Sequence, residues 1–347
     1  GSSRAAIRGL SNKSQTENWD SILQQAGAEA QTLLSKQSKP IPLSLSTAEV
    51  DNSWLVSPLI HGSLPTILVA HGDIGKSTLA LALGLSVASG YNVLPPADPT
   101  RIAPVLYYDW ELNEAETRAR YRSIAEGAGI VLTPEMDLHY TRCYSSMVDI
   151  ISQARSDVRD TKAGLVIIDS LVPALNDEAN SPEAARGFFN AIATLKVPVL
   201  IITHVSKTDE DSGRPFGSVF FWNLARNIWQ VKKQQDIGSD EMLMGIHHVK
   251  SNVSKKYPPI GISVTYGPNS IVFGATDVRE TPEISSEYTI DKIESALTTG
   301  SLTLSELAQR TGVNFNTVSS TVKRHEGKRL IRIPDKRNGE QLWGLRA

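Results

Sequence analysis

"PTILVAHGDIGKSTLALALGLSVASG", Pro65–Gly90, joins a short β-branched apolar run to a long apolar helical stretch through a loop rich in glycine and charge. Its central part, Ala70–Thr78, matches the phosphate-loop pattern G-x-x-x-x-G-K-[ST] at Gly75, Lys76 and Ser77, and departs from it at Ala70. In such a loop successive backbone N–H groups and a helix N-terminus surround phosphates, a lysine adds positive charge, and a Ser/Thr hydroxyl binds Mg²⁺. The first glycine eases the turn out of the strand, so alanine serves wherever the backbone there accepts a Cβ. Gly72, Asp73, Ile74, Gly75, Lys76, Ser77 and Thr78 are therefore the candidate cofactor-binding residues, with ATP and Mg²⁺ the expected ligands. A carboxylate beside phosphates is repelled, so the Asp73 side chain is expected to point outward.

Three further apolar runs end in polar groups. "VLYYDWE", Val105–Glu111, closes on a glutamate thirty-five residues after Lys76, and "GLVIIDS", Gly164–Ser170, carries Asp169 ninety-three residues after it. "VLIITH", Val199–His204, ends on a histidine. Carboxyl ends of parallel strands face the ligand crevice of an open α/β sheet. Asp169 is thus the candidate Mg²⁺-side acid, paired with Ser77. Glu111 could polarise an attacking water, or it could cap the helical stretch that follows. His204 could sense a terminal phosphate, with a polar loop following it.

Alternating strands and helices continue from about residue 47 to 276. "NIWQVKK", "MLMGIHHVK", "IGISVTY" and "SIVFG" then follow as hairpin-like strands. This pattern predicts a mostly parallel sheet with helices on both faces and an antiparallel extension. Ahead of it, apolar residues recur at helical spacing from Thr16 to about Lys36, predicting one amphipathic helix that packs on its own domain or on a neighbour. Residues 1–3, "GSS", read as a tag remnant, and 1–46 as a separate leading segment ending in a linker.

Composition narrows the classes. Net charge is −2 over 347 residues, so any nucleic-acid surface is local. The single cysteine, Cys143, rules out an internal disulfide framework. No apolar run approaches the roughly 20 residues of a membrane span, and nothing resembles a secretory signal, so a cytoplasmic location is expected.

After a linker at 277–286, residues 287–347 read as three helices and a hairpin. The second helix has a capping box from Thr303 to Glu306, and Asn338–Gly339 marks the hairpin turn. From Arg310 to Arg346 there are nine Lys/Arg against three acids. This pattern is similar to a winged helix-turn-helix. A DNA role would use Asn316, Thr317, Ser320, Lys323 and Arg324 on the third helix and Lys336 and Arg337 on the wing. Winged helices also serve as protein contacts.

The loop, the Glu-ended and Asp-ended strands, "ITHVSK…GS…LARNIW" and "HHVKSN…IGISVTY" together resemble the RecA-like P-loop core of the RepA and DnaB group of ring helicases. The resemblance implies an ATPase working on DNA as a homo-hexamer or other ring, a RepA-like replicative helicase that hydrolyses ATP at subunit interfaces. It implies that Lys76 and Ser77 hold phosphates and Mg²⁺, Glu111 is the base, Asp169 supports the metal, and His204 couples nucleotide state to the loops. A basic group from a late strand would reach a neighbour's site. Lys250 stands at that position, with Asn252 where the DnaB-like pattern has arginine and Phe216 where the RepA-like one does. Arg226 is the other candidate. Lys207 and Arg214 would face single-stranded DNA in a pore, although Asp177, Glu178 and Asp209–Asp211 in the same loops oppose this. An ATP-gated DNA-binding regulator or loader, or a nucleotide binder without turnover, are the other readings.

Overall fold

The computed structural model describes residues 54–136, 138–206, 214–217, 219–252, 254–278 and 282–346, with side chains of the last stretch from 289 onward. The expected N-terminal helix, its linker and Lys207 lie outside the described residues.

In chain order the elements are β1 (Trp54–Ser57), β2 (Ile60–His61), β3 (Thr66–Ala70), α1 (Lys76–Ser89), β4 (Asp98–Pro99), β5 (Val105–Asp109), α2 (Glu114–Gly127), β6 (Leu138–Arg142), α3 (Met147–Thr161) and β7 (Leu165–Asp169). There follow α4 (Pro182–Ala193), β8 (Val199–His204), α5 (Val219–Leu224), β9 (Asn227–Gln234), β10 (Glu241–Ser251), β11 (Ile260–Tyr266) and β12 (Ile271–Thr276). The chain ends in α6 (Pro282–Leu297), α7 (Leu304–Thr311), α8 (Phe315–His325), β13 (Leu330–Arg337) and β14 (Glu340–Leu345).

Nine strands form one sheet in the order β12-β11-β10-β9-β3-β8-β7-β5-β6. Pairing is parallel from β6 through β9 and antiparallel from β9 to β12. Parallel strands buried on both faces need apolar residues at every position, which is why "TILVA" and "LVIID" carry no alternation. Successive side chains divide between two cores. Leu68 and Ile167 pack with α1 and the antiparallel extension, whereas Ile67, Val69, Val166 and Ile168 pack with Phe188 and Phe221.

Two features have no strong sequence signal. β6, "LHYTR", alternates half-buried with exposed residues because it is the edge of the sheet and covers only one face. β1, β2 and β4 make a small antiparallel sheet from segments of two to four residues, too short for a periodicity to register.

In the C-terminal unit α6, α7 and α8 close on a core of Ile290, Ile293, Leu307, Val318, Val322, Leu330 and Trp343. α7 carries the capping box, with Thr303 accepting from Glu306 N–H and Glu306 accepting from Thr303 N–H. β13 and β14 turn at Asn338 (φ 52°) and Gly339 (φ 81°), two left-handed residues as a tight hairpin requires. Among the described residues no helix is long and apolar enough to cross a membrane.

Candidate nucleotide site

β3 delivers its last residue, Ala70, in extended pairing with His204, so a Cβ there meets no conformational obstacle. The left-handed backbone falls later, at Asp73 (φ 61°) and Gly75 (φ 85°). Aspartate is one of the few side-chain-bearing residues that tolerate this region. At Gly75 the φ itself strains any side chain, and the terminal methyl of Met244, 2.9 Å from where a Cβ would lie, would have to swing aside. The loop therefore needs glycine at its second motif position, Gly75, and tolerates alanine at its first, Ala70.

α1 begins at Lys76 with no side-chain cap and no acidic residue in its first turn. Its free N–H groups and the positive end of its dipole face the loop concavity, an arrangement that suits a phosphate. The Lys76 ammonium donates to the carbonyls of His71 (2.5 Å) and Ala70 (3.3 Å), which folds the lysine over the loop. Burial holds the Lys76 pKa below its ordinary value, while Glu111 and Asp169 oppose that shift. Asp73 faces out, its side chain fully exposed and 3.6 Å from Lys233 Nζ. Ile74 and Thr78 are buried, Gly72 is exposed, and no described atom crowds the Gly72 Cα.

Asp169 closes β7 beside the loop and is buried. It accepts from Ser77 and from the Tyr107 hydroxyl at 2.5 Å. Burial pushes its carboxyl up to about 6, chiefly through desolvation; the two hydroxyls pull it down, and Glu111 and Asp109 push it up. The same contact with Asp169, added to burial, holds Tyr107 well above the usual phenol range, so it stays a donor.

Glu111 lies just beyond β5 and is exposed toward the cleft, where it accepts from the Ser170 hydroxyl. The helix cap falls to Asn113, whose side chain accepts from Glu116 N–H. Of the two roles open to Glu111, capping is thus taken by another residue. Asp109, the neighbouring carboxylate, is structural: it is buried, accepts from the N–H groups of Glu111 and Leu112 at 2.7 and 2.9 Å, and anchors the turn that presents Glu111.

These groups share one cleft of about 580 Å³ with His204, Arg120, Lys233 and Tyr266. His204 is half-buried, and its pKa is lowered by burial first and by Lys76 second, so it enters the cleft as a neutral imidazole. The Ser77 hydroxyl, the Asp169 carboxylate and the uncapped N–H groups of α1 form a donor set that fits a Mg²⁺–triphosphate.

Arg120, Ser170 and Lys233 were not singled out from the sequence. Arg120 sits among several arginines of α2 with no distinguishing spacing. Lys233 depends on strand register: Gln230 pairs with Val69, so the strand overshoots β3 and carries Lys233 above the loop.

Arg226 and Lys250 are not in this cleft. Arg226 precedes Asn227, which pairs with Thr66 at the start of β3, and Lys250 pairs with Ile228. Both lie at the opposite end of the strands, a strand length or about 15 Å away. The Lys250 ammonium donates to the Trp222 and Asn223 carbonyls and lies over the Trp222 ring.

On α8, Asn316, Ser320, Lys323 and Arg324 are exposed on neighbouring turns. Thr317 is buried at 2 % exposure, its N–H donating to the Asn314 side chain that caps the helix. The expectation that Thr317 contacts a groove is therefore corrected: the first turn of the helix faces it into the core. Lys336 and Arg337 are exposed on β13, and Arg337 is held by Glu306 through contacts of 2.9 and 3.0 Å. Arg214 is exposed and stacks over Trp222 at 5.9 Å.

Residues 45–210 match a family model described as an AAA domain. No curated protein matches the chain. Among solved structures, a KaiC-like protein from the hyperthermophilic archaeon Pyrococcus horikoshii is similar at 14% identity and a TM-score of 0.46, over 65% of this chain and 98% of that one. The AAA-domain match, the mostly parallel sheet and the loop flanked by strand-end carboxylates together support a P-loop ATPase core.

Proposed function

We propose that the chain is an ATP-driven motor that acts on DNA as a ring, in the manner of a RepA-like replicative helicase. The observation that carries this reading is the convergence of Lys76, Ser77, Glu111 and Asp169 at the carboxyl ends of adjacent strands, with Glu111 free of any capping duty.

The reaction is attack of water on the γ-phosphate of ATP. Phosphoryl transfer needs positioning and charge stabilisation more than covalent help. Main-chain N–H groups of the loop and α1 orient the phosphates, and the Lys76 ammonium exchanges its carbonyl contacts for phosphate oxygens. Mg²⁺, when bound, neutralises charge on those oxygens, and Ser77 and Asp169 are the residues that would hold it. Glu111 orients the water and accepts its proton, and Ser170 fixes the carboxylate rotamer. His204, neutral and between Lys76 and the loop that follows β8, is suited to report the terminal phosphate.

Arg226 or Lys250 would act as a cation on the site of a neighbouring subunit, because both are remote from the cleft of their own chain. The three helices and hairpin of the C-terminal unit resemble a winged helix whose α8 would engage a duplex through Asn316, Ser320, Lys323 and Arg324. A second reading, an ATP-gated regulator or loader, is favoured by the exposed Asp177 and Glu178 in the loop after β7, which would repel a strand in a central pore.

Turnover by Lys76→Ala and Glu111→Gln tests the chemistry. Both are expected to fall at least about 100-fold, and equal rates in both variants and the parent would remove the enzyme. Displacement of one strand from a forked duplex separates motor from regulator, since a regulator shows only nucleotide-dependent affinity for DNA.

A further inference from the structure

A second cleft, of about 700 Å³, lies between the ATPase sheet and the C-terminal unit. One wall is the end of β10, His247 to Val249, with the strap Lys256–Pro259; the other is α6 and the segment after α8, with Lys292, Lys328 and Arg329. Four Lys or Arg side chains line it against one carboxylate, Asp291. The chain as a whole carries a net charge of −2, so this local excess is not a reflection of composition.

The cations differ in their commitments. Arg329 is ion-paired with Glu294 at 2.5 Å and with Asp291 at 3.5 Å, which satisfies the only carboxylate of the cleft. Lys292 donates to the Thr311 carbonyl at 3.5 Å. Lys256 and Lys328 are exposed and have no carboxylate partner among the described residues. They approach from opposite walls, one on each structural unit.

The wall bearing Lys256 is rigidly set. His248 is buried, stacks on Trp229 with ring centroids 4.1 Å apart, bonds Asn227 Oδ1 through Nε2 at 2.8 Å, and accepts from Tyr257 N–H through Nδ1 at 3.1 Å. That network fixes the strap immediately after Lys256. Lys256 and Lys328 leave the cleft with positive charge that no carboxylate among the described residues neutralises, and a phosphate accepts charge-assisted hydrogen bonds from ammonium groups.

We propose that this cleft is a phosphate-binding site that grips the backbone of a single nucleic-acid strand through Lys256 and Lys328, separate from the exposed face of α8. The proposal rests on the nucleic-acid part of the preceding reading for the identity of the strand, and on the cleft alone for the phosphate chemistry. Binding here also has a route to the ATP site: β10 places His247–Val249 on this cleft and Met242 on the nucleotide cleft of the same chain.

The test uses the full chain and a fluorescein-labelled 20-nucleotide single strand, with anisotropy read from 50 to 200 mM salt. Lys256→Ala/Lys328→Ala is expected to bind about 10-fold more weakly, and the slope of log affinity against log salt to fall by about 1.4, the value for two phosphate contacts on a single strand. ATP turnover without DNA stays at the parent rate. Lys323→Ala/Arg324→Ala weakens duplex binding and leaves the single-strand slope unchanged. If the Lys256/Lys328 variant binds the strand as the parent does, with the same slope, the proposal is overturned while the motor reading survives. A parent that binds no strand, yet takes up inorganic phosphate or free nucleotide at a second site lost in the variant, assigns the cleft to a free phosphate ligand and removes the DNA reading. A parent that binds neither overturns both.

Discussion

Asp169 carries a conflict between stability and function. Its carboxyl, raised to about 6 by burial, is ionised at neutral pH in a place that disfavours charge. A folded-state pKa above the unfolded value means that the contribution to stability is fully present below about pH 4 and is lost as pH rises through about 6. Two pKa units correspond to about 3 kcal/mol. In the absence of nucleotide and Mg²⁺, Asp169→Asn is expected to be more stable than the parent by about 2–3 kcal/mol at pH 8, with the gap closing toward pH 4; denaturant melts at the two pH values measure it. Gly75 and Gly72 offer a contrast in the same loop. Gly75→Ala should lose about 1–2 kcal/mol and abolish nucleotide uptake, because φ is 85° and Met244 stands over the Cα. Gly72→Ala, with nothing within 4 Å, should melt as the parent does. Thermal melts and titration with a fluorescent ATP analogue separate the two. The loop motif was legible because each of its residues acts within its own turn. Arg120, Ser170 and Lys233 were not, since they enter the cleft only through the placement of α2, β7 and β9.

At the scale of elements, local chemistry and tertiary context divide the outcome. α7 declared its start through Thr303 and Glu306, and the reciprocal bonds are present. Glu306 also holds Arg337 on β13, so the cap ties helix to hairpin. Thr303→Ala is expected to cost about 1 kcal/mol, read as faster hydrogen exchange over 304–311, with basal ATP turnover unchanged. Of the eight strands of the central sheet announced by apolar runs, seven are interior; β12, the other edge, buries only Phe273 and is announced by its β-branched and aromatic residues. β6 escaped notice because an edge strand with one covered face has only five residues in which to show its alternation. Thr317 was misplaced for a related reason: a polar residue in a polar helix gives no sign of its face until α6 and α7 pack on Val318 and Val322.

For the whole molecule, Arg226 and Lys250 lie away from their own cleft, so the proposed reading, in which one of them serves a neighbouring subunit, makes hydrolysis a property of an assembly. If either is a finger, Arg226→Ala or Lys250→Ala should lower turnover by about 10³-fold or more with nucleotide affinity retained. Mixing that variant with Glu111→Gln, each inactive alone, should restore part of the rate, because intact donor and intact acceptor then meet across an interface. No recovery in turnover assays of the mixture would rule out both residues as donors in trans.

The amino-acid order alone determined the phosphate loop, the carboxylates at strand ends, the alternation of strand and helix, and the capped helices of the last sixty residues, because each is a pattern within a few consecutive positions. Only the tertiary structure decided that Glu111 is released from capping, that Lys233 overhangs the loop while Arg226 and Lys250 lie at the far end of the strands, and that Lys256 and Lys328 line one cleft. Those facts depend on register and packing between segments far apart in the chain, where the energy of burial, and not local propensity, selects the arrangement.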